Sequence, residues 1–318
     1  MDKGVKKIIL KGTIFVIIVA LIVLTMNYIY VTIILNQKTI LRSELQYEEN
    51  LGEIEILFMG DSHPANAINT SYFENSFNFA GLSESYDQTY FKFRKTVKDN
   101  PNLKVVVIPL EFYSFSDYRA NKYVYVWYWL KYLGYDDLYK ITGKSKLNLY
   151  IGSKIPVLGN GVELFRLFGE QDTTRIIQGW NLNEGNWSSV KNKNKVAFDR
   201  IKIQFKDKYD IDAELFYYFL KIIDLAEEKN IKVVIVKYPL SPEYIEEIEK
   251  TPFNVESYYK TVDRFVSKKG NVMILDYHNF YTDEKLFANP DHLSIYGANV
   301  FSKELKEKLV ENGLVDSK

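Results

Sequence analysis

The chain has 318 residues, enough for one large domain or two modest ones with a sizeable core. Its 41 lysines and arginines equal its 41 aspartates and glutamates, and a net charge of zero argues against nucleic acid as the main partner. It has no cysteine, which excludes disulfides, thiolate chemistry and cysteine-ligated zinc; a three-histidine metal centre would need all of its three histidines, His63, His278 and His292.

From Gly12 to Gln37 there are 26 residues without a charge, and a bilayer core needs about 20. Lys3, Lys6, Lys7 and Lys11 precede this run. By the positive-inside rule residues 1–11 stay in the cytoplasm, 12–36 form a transmembrane helix, and the remainder is extracytoplasmic at the cell membrane. A cleaved signal peptide is the competing reading. It would need a shorter apolar region and small residues at a cleavage site, whereas Met26 is followed by Asn-Tyr-Ile-Tyr-Val-Thr-Ile-Ile-Leu. Residues 37–52 are polar and charged and read as a stalk, part helical.

An alternation of strand and helix patterns follows. Strands are expected at Ile54–Met59, Leu103–Leu110, Ile231–Val236 and Val272–Leu275, because these runs are short, apolar and rich in β-branched residues, and a further strand is expected at Ser76–Phe79. Helices are expected at Tyr86–Lys98 and at Ala213–Lys229, the second with Phe216, Phe219, Leu220 and Ile223 facing inward and Asp210 or Asp212 as cap. Ser294 can cap a last helix striped by Ala298, Phe301, Leu305 and Leu309 and stopped by Asn312-Gly313. Such alternation implies an α/β fold, a mostly parallel sheet with helices on both faces. Between about 112 and 209 the alternation is lost. This stretch carries all four tryptophans (Trp127, Trp129, Trp180, Trp187) and the run YVYVWYWLKYLGY at 123–135. It reads either as a mainly helical insertion whose aromatics pack on the sheet domain, or as a wall of aromatic faces for sugar rings or the membrane interface.

The first strand ends in Gly60-Asp61-Ser62-His63. In parallel sheets sites form beyond the carboxyl ends of strands. A serine placed between strand and helix gains exposure, backbone N–H groups and a helix dipole, which suits a nucleophile; Asp61 and Ser62 would equally serve as helix caps. His292, on a loop with Pro290 and Asp291 before the last helix, is placed to act as general base.

These two stretches, GDS at 60–62 and DHLSIYGA at 291–298, together resemble the SGNH/GDSL hydrolase superfamily over about residues 53–312. The resemblance is strongest to its membrane-anchored proteins of cell-surface polysaccharide O-acylation and lipoteichoic acid D-alanylation. It implies a three-layer, flavodoxin-like SGNH domain at 53–312 followed by a tail at 313–318. It implies Ser62 as nucleophile and His292 as base, with the N–H groups of Ser62 and Gly81 as oxyanion donors. Asp61, His63 and Glu111 would line the site.

Two positions depart from the family pattern. The aspartate usual three residues before the histidine is Asn289 here, which leaves Asn289, the adjacent Asp291 or the more distant Asp276 to orient the ring. The Gly-x-Asn block is not visible, and Pro109 and Glu111 stand where its asparagine is expected. The implied activity is that of a serine esterase or O-acyltransferase working through an acyl-serine on an envelope polysaccharide. Transfer would require a polytopic membrane partner to deliver acyl groups. A noncatalytic polymer-binding or assembly protein is the alternative, and a metal-dependent phosphodiesterase using Asp61, Asp291 and His292 a third reading. No cofactor and no metal are expected.

Overall fold

The structure, a computed structural model, describes residues 3–120, 123, 126–160, 175–206 and 208–316. Val124 and Tyr125 of the aromatic run, 161–174 of the expected insertion, and the chain ends at 1–2 and 317–318 lie outside the described residues. The chain divides into two units, Met1–Arg42 with Tyr123–Thr173, and Ser43–Lys122 with Thr174–Lys318. The stretch expected as one insertion is therefore shared between them.

Helix α1, Lys3–Ile29, continues through a π turn, Tyr30–Ile34, and a 3-10 turn, Leu35–Gln37. This 35-residue run is long and apolar enough to cross a membrane. Within the expected stalk α2 spans Thr39–Glu49, and its buried Tyr47 stacks on Phe79 with ring centroids 4.2 Å apart. Strand β1 (Ile56–Phe58), α3 (Ser62–Ala67), β2 (Ser76–Asn78), α4 (Tyr86–Asp99) and β3 (Val105–Pro109) come next. The first unit then adds α5 (Tyr135–Thr142), α6 (Lys146–Lys154) and α7 (Pro156–Asn160). The second unit resumes with the short pair β4 (Ile176–Ile177) and β5 (Trp180–Asn181), then α8 (Lys193–Phe205), α9 (Ala213–Glu228) and β6 (Lys232–Lys237). It closes with α10 (Pro242–Glu249), α11 (Val255–Val266), β7 (Val272–Asp276), the hairpin β8 (Phe287–Asn289) and β9 (His292–Leu293), and α12 (Ile295–Glu311).

Five parallel strands pair in the order β2-β1-β3-β6-β7. This is the flavodoxin-like order, and the chain is α/β as its alternation implies. One sheet face carries Ile56, Phe58, Val105, Val107, Val234 and Val236, and α3 and α12 cover it through Ala67, Phe301, Leu305 and Leu309. The alternate residues Leu57, Val106, Ile108, Val233 and Ile235 are buried too, so the second face is covered as well. Each large apolar side chain of α12 so buried contributes about 1.5–3 kcal/mol. Asp212 caps α9 by accepting from the N–H groups of Glu214 and Leu215. The buried face of α9 is Leu215, Phe219, Ile222, Ile223 and Ala226, one step round from the expected stripe. Phe216 remains half-buried against Phe115, Phe219 and Phe265.

The tryptophans divide along the same line as the chain. In the α/β unit Trp187 is fully buried and its indole N–H donates to Glu243, while Trp180 donates to the Asn66 carbonyl. Both serve packing, not an aromatic wall. In the first unit Trp129 contacts Tyr123, Tyr128 and Tyr132, and Trp127 packs on the cluster of Tyr30, Ile34, Leu35 and Val157.

Candidate active site

Strand β1 reaches its tip beside the point where strand order reverses, between β1 and β3. Gly60 turns the chain there with φ +115°, and a Cβ on it would lie 2.3 Å from Pro109 Cδ, so only glycine fits. Asp61 follows as N-cap of α3, its Oδ1 accepting the His63 N–H at 2.9 Å. Ser62 is the first residue of the helix. Its flank is tightly buried, yet Ser62 stays partly accessible, and its N–H has no hydrogen-bond partner among the described residues. Capping and display thus occur together, on adjacent residues.

The second half of the site is the turn of the β8–β9 hairpin. Asn289 Oδ1 accepts the Asp291 N–H at 3.1 Å, which orients the amide with its oxygen toward the turn. The same oxygen lies 3.0 Å from His292 Nδ1. An oxygen can only accept, so Nδ1 carries the proton and Nε2 presents its lone pair. That lone pair faces Ser62 Oγ at 2.7 Å. The hairpin is pinned by the Ser241 N–H on the Pro290 carbonyl and by close contact with α12. At that contact a Cβ on Gly297 would fall 1.9 Å from Leu286 O.

Asp291 Oδ1 lies 3.1 Å from His292 Nδ1 but off the N–H direction, and it accepts no hydrogen bond. Asp291 therefore supplies charge while Asn289 supplies orientation. Its other oxygen accepts from Arg200 Nε at 2.9 Å and from Gln204 Nε2 at 2.7 Å, two residues one turn apart on α8. Burial alone would raise the Asp291 carboxyl; His292 and Arg200 outweigh it and hold the group well below the ordinary carboxylate range. His292 is pushed the other way. Burial, helped by His63 and Arg200, lowers it below its ordinary 6.5 against the pull of Asp291. It is neutral at neutral pH, the state a general base requires.

His63, expected to line the site, lies inside it. It is buried, its ring stacked on that of His292 with centroids 4.9 Å apart, and its Nδ1 lies 2.8 Å from the Tyr113 hydroxyl. Burial opposes its charge, but Glu111, Asp61 and Asp291 raise it to about 9, so it is an imidazolium beside the neutral His292. Asp61 is buried as well. Desolvation is overcome by Arg119, with which it forms an ion pair, and by His63, and its carboxyl is held below the ordinary range.

Other expected positions lie elsewhere. The Gly81 N–H is already donated to the Gly60 carbonyl at 2.8 Å and is not open to an oxyanion; the Ser62 N–H is. Glu111 is fully buried and accepts the Tyr238 N–H at 2.9 Å while pairing with His278 Nε2 at 3.1 Å, so it braces the floor of the site and does not line it. Asp276 pairs with Lys237 and does not reach His292. Ligand atoms of His63, Asp291 and His292 lie within 4.8 Å of one another. A metal there would have to displace a proton from His63 and the contacts that Ser62 and Asn289 make to His292, beside the guanidinium of Arg200. The residues that sequence reasoning missed are Arg119, Arg200, Gln204 and Tyr113. The i, i+4 spacing of Arg200 and Gln204 was the only signal, and a solvated helix face shows the same spacing.

No protein-family profile matches the sequence, and no curated protein matches it. Several solved structures are similar to the chain. One, from Streptococcus pneumonia, is described provisionally as a platelet activating factor; it is 12% identical with a TM-score of 0.41, over 84% of this chain and 90% of its own. A GDSL-like lipase from Bacteroides thetaiotaomicron is 12% identical with a TM-score of 0.41, over 86% of this chain and 100% of its own. A protein from Bacteroides fragilis, described provisionally as an acylhydrolase, is 12% identical with a TM-score of 0.39, over 81% of this chain and 87% of its own.

Proposed function

We propose that the chain is a membrane-anchored, extracytoplasmic serine ester hydrolase or O-acyltransferase of the SGNH/GDSL kind, acting on acyl esters of an envelope polysaccharide through an acyl-serine. The observation that carries the chemistry is the 2.7 Å approach of Ser62 Oγ to the unprotonated Nε2 of a neutral His292. Ser62 Oγ bonds to the acyl carbon as its proton passes to Nε2. The Ser62 N–H receives the oxyanion. Collapse breaks the bond to the leaving alcohol, which takes the proton from His292 and leaves the acyl group on Ser62. Water or a sugar hydroxyl then attacks, with the proton returning by the same path. Transfer requires an acyl donor outside the cytoplasm, which a single-span chain does not supply, so a polytopic partner belongs to that version of the reaction.

One observation favours the noncatalytic alternative: of the two expected oxyanion donors, only Ser62 N–H is open. A fluorophosphonate probe separates the readings. The full-length protein in detergent labels, hydrolyses p-nitrophenyl acetate and loses both properties in Ser62→Ala. A folded wild type that neither labels nor turns over establishes the binding protein in place of the enzyme.

A further inference from the structure

The first unit joins α1 to the helices α5–α7, and the joint lies at a telling depth. Counting about 20 residues for a bilayer core from Gly12, the first residue of the charge-free run, ends at Val31. Asn27 then sits about 6 Å inside the core surface, at 1.5 Å per residue. Its side-chain oxygen accepts the N–H of Val157 at 3.2 Å, satisfying an otherwise orphaned donor in the first turn of α7. Around this bond Tyr30, Ile34, Leu35 and Val157 are buried together, with Ile155 and Trp127 packed on them. α7 is thereby fixed to a part of α1 that lies within the membrane boundary.

The neighbouring helix agrees. α6 (KLNLYIGSK) turns Leu149 and Gly152 inward, and Gly152 packs closely on Gly159 of α7. Its outward face should then be polar, and instead it shows Leu147 66% exposed and Tyr150 52% exposed, with Leu158 on α7 57% exposed. Apolar side chains exposed among the polar Lys146, Asn148 and Lys154 of the same helix suit the boundary between water and lipid. Lys140, Lys144 and Lys154 on and between these helices are exposed, while Lys146, also exposed, pairs with Asp136 of α5. Tyrosine and lysine bordering exposed leucine is the pattern of an interfacial helix on an anionic leaflet.

We propose that α5–α7 lie in the interface of the leaflet from which α1 emerges, with Leu147, Tyr150 and Leu158 entering the acyl boundary and the lysines meeting anionic headgroups. This rests on α1 as a membrane anchor and is independent of the chemistry at Ser62. It makes the anchor more than a tether, because a folded part of the chain is held at a defined depth.

The absence of cysteine makes the test direct. Full-length Ile22→Cys, Leu147→Cys, Tyr150→Cys and Leu158→Cys are labelled with an environment-sensitive fluorophore and reconstituted in vesicles of phosphatidylethanolamine and phosphatidylglycerol. Probes at 147, 150 and 158 are expected to be quenched by nitroxide placed shallow on the acyl chain and shielded from aqueous iodide, and the probe at 22 by deep nitroxide. Iodide access at 147, 150 and 158 with 22 still lipid-quenched overturns the proposal alone, and points to a protein partner on that face. Iodide access at 22 removes the anchor and the proposal together. Labelling of Ser62 by fluorophosphonate is unaffected in either case.

Discussion

Asn289 and Asp291 share one nitrogen: their side-chain oxygens lie 3.0 and 3.1 Å from His292 Nδ1, the first in hydrogen-bond geometry and the second outside it. Fixing the tautomer and stabilising the imidazolium, which one carboxylate usually does alone, are here given to two residues. Asp291→Asn keeps the tautomer and loses the charge. Its expected cost is about 10- to 100-fold in kcat, well short of the ~10⁴ seen when the tautomer is scrambled, with the acid limb of kcat/KM moved to lower pH. Asn289→Asp adds a carboxylate on the N–H axis and moves that limb up toward neutrality. Both are read from p-nitrophenyl acetate hydrolysis against pH, and a loss in Asp291→Asn as deep as that of Ser62→Ala contradicts the division of roles.

His63 makes folding stability pH-dependent in a direction that can be worked out. Its folded value, about 9, exceeds the 6.5 of the unfolded chain, so its stabilisation is complete below 6.5 and lost as pH rises through about 9. Asp61 and Asp291 are depressed from 3.8, so their contributions are present above 3.8 and lost as pH falls through their folded values. His292, depressed from 6.5, adds a loss as pH falls below 6.5, so maximum stability from these four groups is expected near pH 6.5. Thermal unfolding from about pH 6.5 to 10 should show Tm falling, and His63→Gln should flatten that fall. An unchanged slope in the variant means that His63 is not the titrating group.

Arg119 and Asp61 are almost wholly buried, with side chains 4% and 6% exposed. Removing Arg119 takes away the stronger of the two positive charges that hold the buried Asp61, leaving His63 at 3.4 Å. Arg119→Met is expected to cost about 3–5 kcal/mol in urea unfolding. The double variant Asp61→Asn with Arg119→Met should recover most of it, because asparagine can still cap α3 and His63 keeps Glu111 and Asp291 as counter-charges. Simple additivity of the two single losses would show that the pair is not coupled.

Legibility in the sequence followed chemistry that is local. The β-branched runs located four of the five sheet strands within two residues, because a buried strand tends to be apolar throughout, while β2, Ser76–Asn78, has a polar side chain at each end. Gly60-Asp61-Ser62 and His292 stood out because strand-to-helix turns display what they carry. What escaped depends on distant pairing. Arg119 and Tyr113 look like any polar residues of an irregular stretch until the fold sets them on Asp61 and His63. Asn289 reads as a lost aspartate, since its acceptor role exists only once the Asp291 N–H has fixed its amide. On α9 the apolar residues are too many to set the phase of the stripe, and packing on neighbouring rings decided it.

The two halves of the site hang on two glycines, and that separates their failures. Alanine at Gly60 must hold φ +115° and place Cβ 2.3 Å from a proline ring carbon, so β1 or β3 must shift and carry Ser62 with it. Alanine at Gly297 meets the Leu286 carbonyl at 1.9 Å and pushes the hairpin of His292 off α12. Gly270 has open space around it and serves as reference, with Gly270→Ala neutral or stabilised by less than about 1 kcal/mol. Both site glycines, changed to alanine, are expected to lose more than about 2 kcal/mol in urea unfolding. Where either variant still folds, it should lose fluorophosphonate labelling well beyond its stability loss, because an added ångström between Ser62 Oγ and His292 Nε2, now 2.7 Å apart, takes the pair out of hydrogen-bond reach. Full labelling in a folded Gly297→Ala protein would mean that the hairpin need not sit against α12 for His292 to reach Ser62.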